Sequence, residues 1–240
     1  MLVGIGTIIN AISVLLGGGI GLLLGNRLSE SIQKILTQAM GLSVLFISVA
    51  GAMSHMLVLT DKALLTKGGM LITISLALGA ILGEWIDIER HIVLFGEKIK
   101  QKVGNTQDNL FVEGFVTASF TICIGAMAIV GSIQDGLLHD PTMLFTKSVL
   151  DGVILIVFAS VYGIGAIFSI IPLVLWQGII TLCSSLVQQF LTPTMIDSIS
   201  LVGSLLIFCV GANLFFNMKI KVANLLPSLI FAIILVYVIG

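Results

Sequence analysis

Along the chain, apolar runs of about 20 residues alternate with short polar breaks, a pattern that predicts membrane-crossing helices. The runs fall near 3–25, 36–58, 68–86, 111–134, 142–169 and 197–217, with a further candidate at 171–190 and a last run at 223–239. The pattern changes at 87–110. There Ile88, Ile92, Phe95, Ile99 and Val103 recur at helical spacing while Glu89, Arg90, Lys98 and Lys102 occupy other faces. This predicts an amphipathic helix, either lying on the membrane surface or serving as a solvated connector. Asp140-Pro141 reads as an N-cap followed by proline at the first helical position, so the fifth span starts at about Pro141.

Three segments align without gaps: "GLSVLFISVAGAM" at 41–53, "FVTASFTICIGAM" at 115–127 and "LVGSLLIFCVGAN" at 201–213. Upstream of each lies a pair of small residues four apart: Gly21 and Gly25, Gly79 and Gly83, Gly165 and Ser169. The separation from Gly79 to Met127 equals that from Gly165 to Asn213, whereas Gly21 to Met53 is shorter. Small residues at this spacing let helix backbones approach closely in lipid, so the pairs read as packing seams. The fold class is therefore an all-α integral membrane protein forming one transmembrane domain. It holds three related helix-pair units, about 1–60, 61–138 and 139–217, and a final helix at 223–239.

The span count is seven or eight. If 171–190 crosses, Lys219 and Lys221 fall on the cytoplasmic side, as the positive-inside tendency prefers, but 197–217 then runs opposite to its repeat partners. If it dips in and out as a re-entrant segment, the directions agree; Gln177, Thr181, Ser184, Ser185, Gln188 and Gln189 make it polar enough for that. The N-terminal stretch carries no basic residue before its apolar run, so it reads as a retained span rather than a cleaved signal. Arg27 and Lys34 follow it, and Arg90, Lys98, Lys100 and Lys102 cluster further on, which places the N-terminus outside.

Composition agrees: of 240 residues, 58% are apolar and 10% charged, so the bilayer is the solvent and the first partner. A net charge of −1 with no basic run among aromatics excludes a nucleic-acid partner. Cys123, Cys183 and Cys209 lie within apolar runs and are odd in number, which argues against a disulfide framework. His55, His91 and His139 are dispersed, with no HExxH, GxSxG, phosphate loop or CxxC. Neither an enzyme nor a metal or cofactor site is expected.

The charged residues inside a span are the informative ones. With helix five starting at Pro141, a rise of about 1.5 Å per residue sets Lys147 about 9 Å and Asp151 about 15 Å into the membrane. Spaced i and i+4, they share a face, and as a pair facing a wet interior they are tolerable where a lone carboxylate is not. They either line a path or merely pin neighbouring helices. Asp135 and Asp140 mark the outer entrance, and Glu113 reaches the interior from the fourth span. Asn10 and Asn213 are amides within apolar segments, which either join helices or coordinate a solute. The Gly-Ala-Met and Gly-Ala-Asn motifs are either packing positions or the breaks of interrupted helices.

The stretches "INAISVLLGGGIG", "GAILGE", "GAMAIVGSIQDGLLHDPTMLFTKSVLD" and "NLLPSL" together resemble the YdfK/YqgA-type family of bacterial integral membrane proteins. The resemblance covers essentially the whole chain and is most specific in its middle motif. It implies a bacterial inner-membrane protein and carries no catalytic or binding residues with it. The functional expectation is a small transporter or channel for an unidentified ion or small polar solute, compatible with a homodimer. The alternative is a non-transporting scaffold or regulator that binds partner helices through its glycine seams.

Overall fold

The structure is a computed structural model that describes residues 3–25, 29–59, 63–103, 110–123, 126–184, 186 and 192–239, with side chains omitted at 30, 126 and 239. Arg27, Ser185, Gln188 and Gln189, invoked above, lie outside them. The helices are α1 (Ile5–Gly25), α2 (Glu30–Met56), α3 (Gly69–Ile86), α4 (Ile88–Val103), α5 (Phe111–Cys123), α6 (Ala126–Leu137), α7 (Thr142–Tyr162), α8 (Ile164–Ile167), α9 (Ile170–Leu182), α10 (Pro193–Phe216) and α11 (Pro227–Ile239). A 3₁₀ turn, Val222–Leu225, precedes α11. Between α2 and α3 the strands β1 (Leu57–Leu59) and β2 (Leu64–Thr66) pair antiparallel, with Leu57 opposite Thr66, a hairpin the apolar pattern did not predict.

Among the described residues, six helical stretches are long and apolar enough to cross a bilayer, or seven if the bent pair α5 and α6 is one span. The pair is bent by 59°. Two expected boundaries move. The span expected at 142–169 ends at Tyr162, because Gly163 adopts φ 70° and ψ −153°, a region essentially closed to residues with a Cβ. The next apolar stretch then runs over Ile164–Leu182 rather than starting at 171. Helix α7 itself begins at Thr142, where the apolar run was expected to start. Asp140 still organises that start, its carboxylate accepting from the Thr142 backbone N–H at 3.0 Å and hydroxyl at 2.6 Å.

The chain divides into two compact units interleaved in sequence, Met1–Met40 with Ile92–Phe190, and Gly41–His91 with Leu191–Gly240. In the first, α1 and α7 run parallel along a seam. Gly17 faces the Gly152 carbonyl and Gly21 the Ile156 carbonyl, and a methyl group on Gly25 would lie 2.6 Å from the Ser160 carbonyl oxygen. Gly165 of α8 meets the Phe111 carbonyl in the same close manner, and Ser169 is fully buried. The amphipathic helix α4 forms as its periodicity requires, and part of its apolar face covers protein while Phe95 and Val103 remain exposed. Ile99 packs with Phe111 and Phe115, and the Phe95 and Phe115 rings lie 6.0 Å apart.

In the second unit, α2 and α10 pack antiparallel. Gly41 lies against Phe215, Gly211 against Leu45 and Gly51 against Ser204, with approaches of 2.6, 2.9 and 2.6 Å from the position of an added methyl. The aligned segments 41–53 and 201–213 therefore face each other in opposite directions, and their Gly-Ala motifs sit inside unbroken helices. Only the middle segment falls where one helix ends, at Cys123, and the next begins, at Ala126. Gly79 and Gly83 receive Ser228 and Asn224. At the end of α3, Glu84 accepts from Lys221 at 2.6 Å and from Asn224 at 2.7 Å, Asn224 accepts from the Glu89 N–H at 2.7 Å, and Glu89 accepts from the Ala223 N–H at 3.1 Å. Glu84 and Glu89 thus tie the 3₁₀ turn to the α3–α4 junction.

Candidate functional site

Polar side chains collect in the first unit on helices that are otherwise apolar. On α7, Leu144, Lys147, Ser148, Asp151, Gly152 and Leu155 are all buried, a stripe at helical spacing facing α1. Small residues on α1 bring the two backbones close, so Asn10 reaches α7 directly. Its Nδ2 donates to Asp151 Oδ2 at 2.9 Å and to Gln177 Oε1 of α9 at 3.4 Å. The Ser13 hydroxyl donates to the Ser148 carbonyl at 2.6 Å, fixing the register of the pair.

Lys147 and Asp151 are ion-paired one turn apart and are 6% and 4% exposed, so the pair is shielded on both sides. Lys147 Nζ also donates to the Ile122 carbonyl at 2.7 Å. Ile122 is the penultimate residue of α5 as described, at the end where the helix dipole is negative. The ammonium therefore caps a helix end at the break between α5 and α6 while balancing Asp151. In interrupted membrane helices such an end commonly coordinates a cation, and here a side chain of the protein takes that position.

Asp135 of α6 is fully buried, and its Oδ2 accepts from the Gly6 N–H at 3.0 Å. Several other buried polar atoms have no partner among the described residues: Thr7 Oγ1, Asn10 Oδ1, Asp135 Oδ1, Gln177 Nε2 and Thr181 Oγ1. They come from α1, α6 and α9, with the ion pair of α7 beside them.

Of the residues singled out from sequence, Asn10, Asp135, Lys147 and Asp151 come together in this unit. Asp140 is exposed and lies one residue before the N-cap, which is Pro141 rather than the expected Asp140, with its carboxylate accepting from Thr142. Glu113 is exposed in the first turn of α5, at the opposite end of that helix from Ile122. Asn213 belongs to the second unit, where its amide donates to the Ile220 carbonyl and accepts from the Ile220 N–H, both at 2.9 Å. Thr7, Gln177 and Thr181 were not assigned to the site from sequence. The signal was present, since Gln177, Thr181 and Ser184 recur at i, i+4 and i+7 on one face of an apolar stretch. Among the described residues, no group of three or more His, Cys, Asp or Glu is placed to hold a metal ion.

Long apolar helices enclosing buried charge define an integral membrane protein that crosses the bilayer several times. The chain belongs to the family described as "Protein of unknown function (DUF554)", whose model matches residues 5–237. It is 32% identical over 234 residues to the uncharacterized membrane protein YdfK of Bacillus subtilis (strain 168), covering 98% of this chain and 96% of that protein. It is 30% identical over 232 residues to the uncharacterized protein YqgA of Escherichia coli (strain K12), covering 95% and 94% respectively. No solved structure matches.

Proposed function

We propose that this protein is a transporter or channel for an ion or small polar solute in the bacterial inner membrane, with its N-terminus outside. The observation that carries this reading is the set of buried polar atoms without partners among the described residues, one of them on the Asn10 amide that hydrogen-bonds Asp151 of the Lys147–Asp151 pair. In a hydrocarbon setting each such atom costs roughly several kcal/mol, a cost that a bound polar solute offsets. Asn10 Oδ1 and Gln177 Nε2 supply an acceptor and a donor on neighbouring side chains, which suits a solute that carries both.

In this mechanism the solute enters near the start of α7, passes Asp135 and meets Asn10 and Gln177. The Lys147–Asp151 pair exchanges partners with it. The scaffold reading is weaker, because the chain's own helices already fill the glycine seams through which it would bind partners. A homodimer would use other surfaces.

The test is the thermal stability of purified protein against a panel of ions and metabolites, with Asp151→Asn beside wild type. A ligand of the folded state at about 100 times its dissociation constant adds roughly 2.7 kcal/mol. The expected result is stabilisation that disappears in the variant. A broad panel without a hit, on two well-folded proteins, would sink the assignment.

A further inference from the structure

Among the described residues, Asp135 differs from Asp151 in having no counter-charge. Asp151 is paired with Lys147, and the remaining Lys147 hydrogen bond described goes to the Ile122 carbonyl. Asp135 is fully buried, forms none of the ion pairs among the described residues, and uses one oxygen on the Gly6 N–H. Its second oxygen has no partner among the described residues. The three charges of the buried cluster, Asp135, Lys147 and Asp151, therefore sum to one negative charge.

The neighbouring orphan atoms, Gln177 Nε2 apart, are hard oxygens. Thr7 directly follows Gly6, whose N–H binds Asp135. Thr181 lies against both sides of the same place. Its carbonyl faces Gly136, the residue after Asp135, and its methyl is 4.0 Å from the position of a Cβ on Gly4. Asn10 lies one turn beyond Gly6, with its Oδ1 unpartnered. Buried hydroxyls such as those of Ser48, Ser119, Ser132 and Ser148 satisfy themselves by donating to a carbonyl of the preceding turn, whereas those of Ser169 and Ser228, far from Asp135 in sequence, have no partner among the described residues. Thr7 and Thr181 are 6% and 2% exposed and likewise have none.

We propose that Asp135, with Thr7, Thr181 and the Asn10 carbonyl oxygen, forms a site for a monovalent alkali cation, Na⁺, distinct from the Lys147–Asp151 pair. One carboxylate among neutral oxygens matches a single positive charge, and a donor set of oxygen alone suits a hard cation. The further role of this ion, coupling its gradient to solute movement, rests on the transport reading above; the site itself does not.

The experiment is equilibrium binding of radioactive ²²Na⁺ to the purified full-length protein, with K⁺ and choline as competitors. Wild type, Asp135→Asn and the double variant Thr7→Val/Thr181→Val are compared. Saturable binding that is lost in Asp135→Asn and weakened about tenfold or more in the double variant is the expected result, tenfold corresponding to about 1.4 kcal/mol. Absence of saturable binding to wild type overturns the proposal, as does binding that survives Asp135→Asn. Where Asp135→Asn does not fold, an unchanged Na⁺ affinity in the folded double variant overturns it equally. An infrared carbonyl band from protonated Asp135 that persists in saturating Na⁺ would assign the site to a proton instead. Na⁺ binding without any Na⁺-driven flux keeps the site and removes the transport reading, whereas flux without Na⁺ binding does the reverse.

Discussion

The Lys147 ammonium lies 2.7 Å from the Ile122 carbonyl oxygen, so one side chain both caps the end of α5 and balances Asp151. Removing either member of a buried pair strands the other charge, at a cost of about 3–5 kcal/mol, while apolar replacement of both avoids that penalty. Lys147→Met and Asp151→Leu are each expected to lower stability by that order. The double variant should be more stable than the sum of the two losses implies. Chemical denaturation in detergent measures the cycle, and simple additivity would mean the two residues do not act as a pair.

The seam between α1 and α7 predicts opposite outcomes for neighbouring glycines. Gly21 lies against the Ile156 carbonyl, whereas a methyl added to Gly19 meets nothing within 4 Å. Gly21→Val should cost about 2–3 kcal/mol or more by forcing backbones apart. Gly19→Ala should stabilise by about 0.5–1 kcal/mol through helix propensity. Melting temperatures of the two variants against wild type decide it, and equal effects would rule out this register of the seam.

Asn10 and Asn213 are both amides in apolar helices but have different work. Asn213 closes both of its bonds on Ile220, so Asn213→Ala should cost about 1–3 kcal/mol of stability and leave any solute-dependent stabilisation intact. Asn10→Ala should diminish the solute response itself. Ligand titrations of both variants, read as the size of the shift rather than the starting stability, separate the two roles.

Two carboxylates outside the spans titrate in opposite senses. Burial raises Glu89 above the usual carboxylate range, so its contribution to stability is most favourable at low pH and is lost as pH rises towards its folded value. Hydrogen bonds from Thr142 hold Asp140 below that range, so its contribution is present above the unfolded value and is lost as pH falls through the folded one. Relative to wild type, Glu89→Gln should gain stability as pH rises through the first window, and Asp140→Asn should gain as pH falls through the second. Denaturation midpoints across the acid range show whether the two difference curves slope in opposite directions.

The hydrophobic pattern was enough to read the membrane class, most spans and the amphipathic helix at 88–103, because a crossing helix must be apolar over a length set by the bilayer. The shared face of Lys147 and Asp151 followed from helical geometry once the helix start near Asp140-Pro141 was recognised. The break at Gly163 was less legible. A single glycine in an apolar run looks alike whether it packs or turns, and only its backbone angles distinguish the two.

Sequence by itself therefore determined what is local and periodic: helices, their lengths, their buried faces and the charges that could not face lipid. Tertiary structure decided which helices meet. It joined Asn10 to Asp151 across 141 positions and sent Asn213 to a backbone loop in the other unit. It also gave Lys147 the end of α5 and left Asp135 without a counter-charge among the described residues. The physical reason is that lipid rewards no particular helix partner. Partners are chosen by close backbone approach at glycines and by the need of each buried polar group for a mate, and both depend on residues distant in the chain.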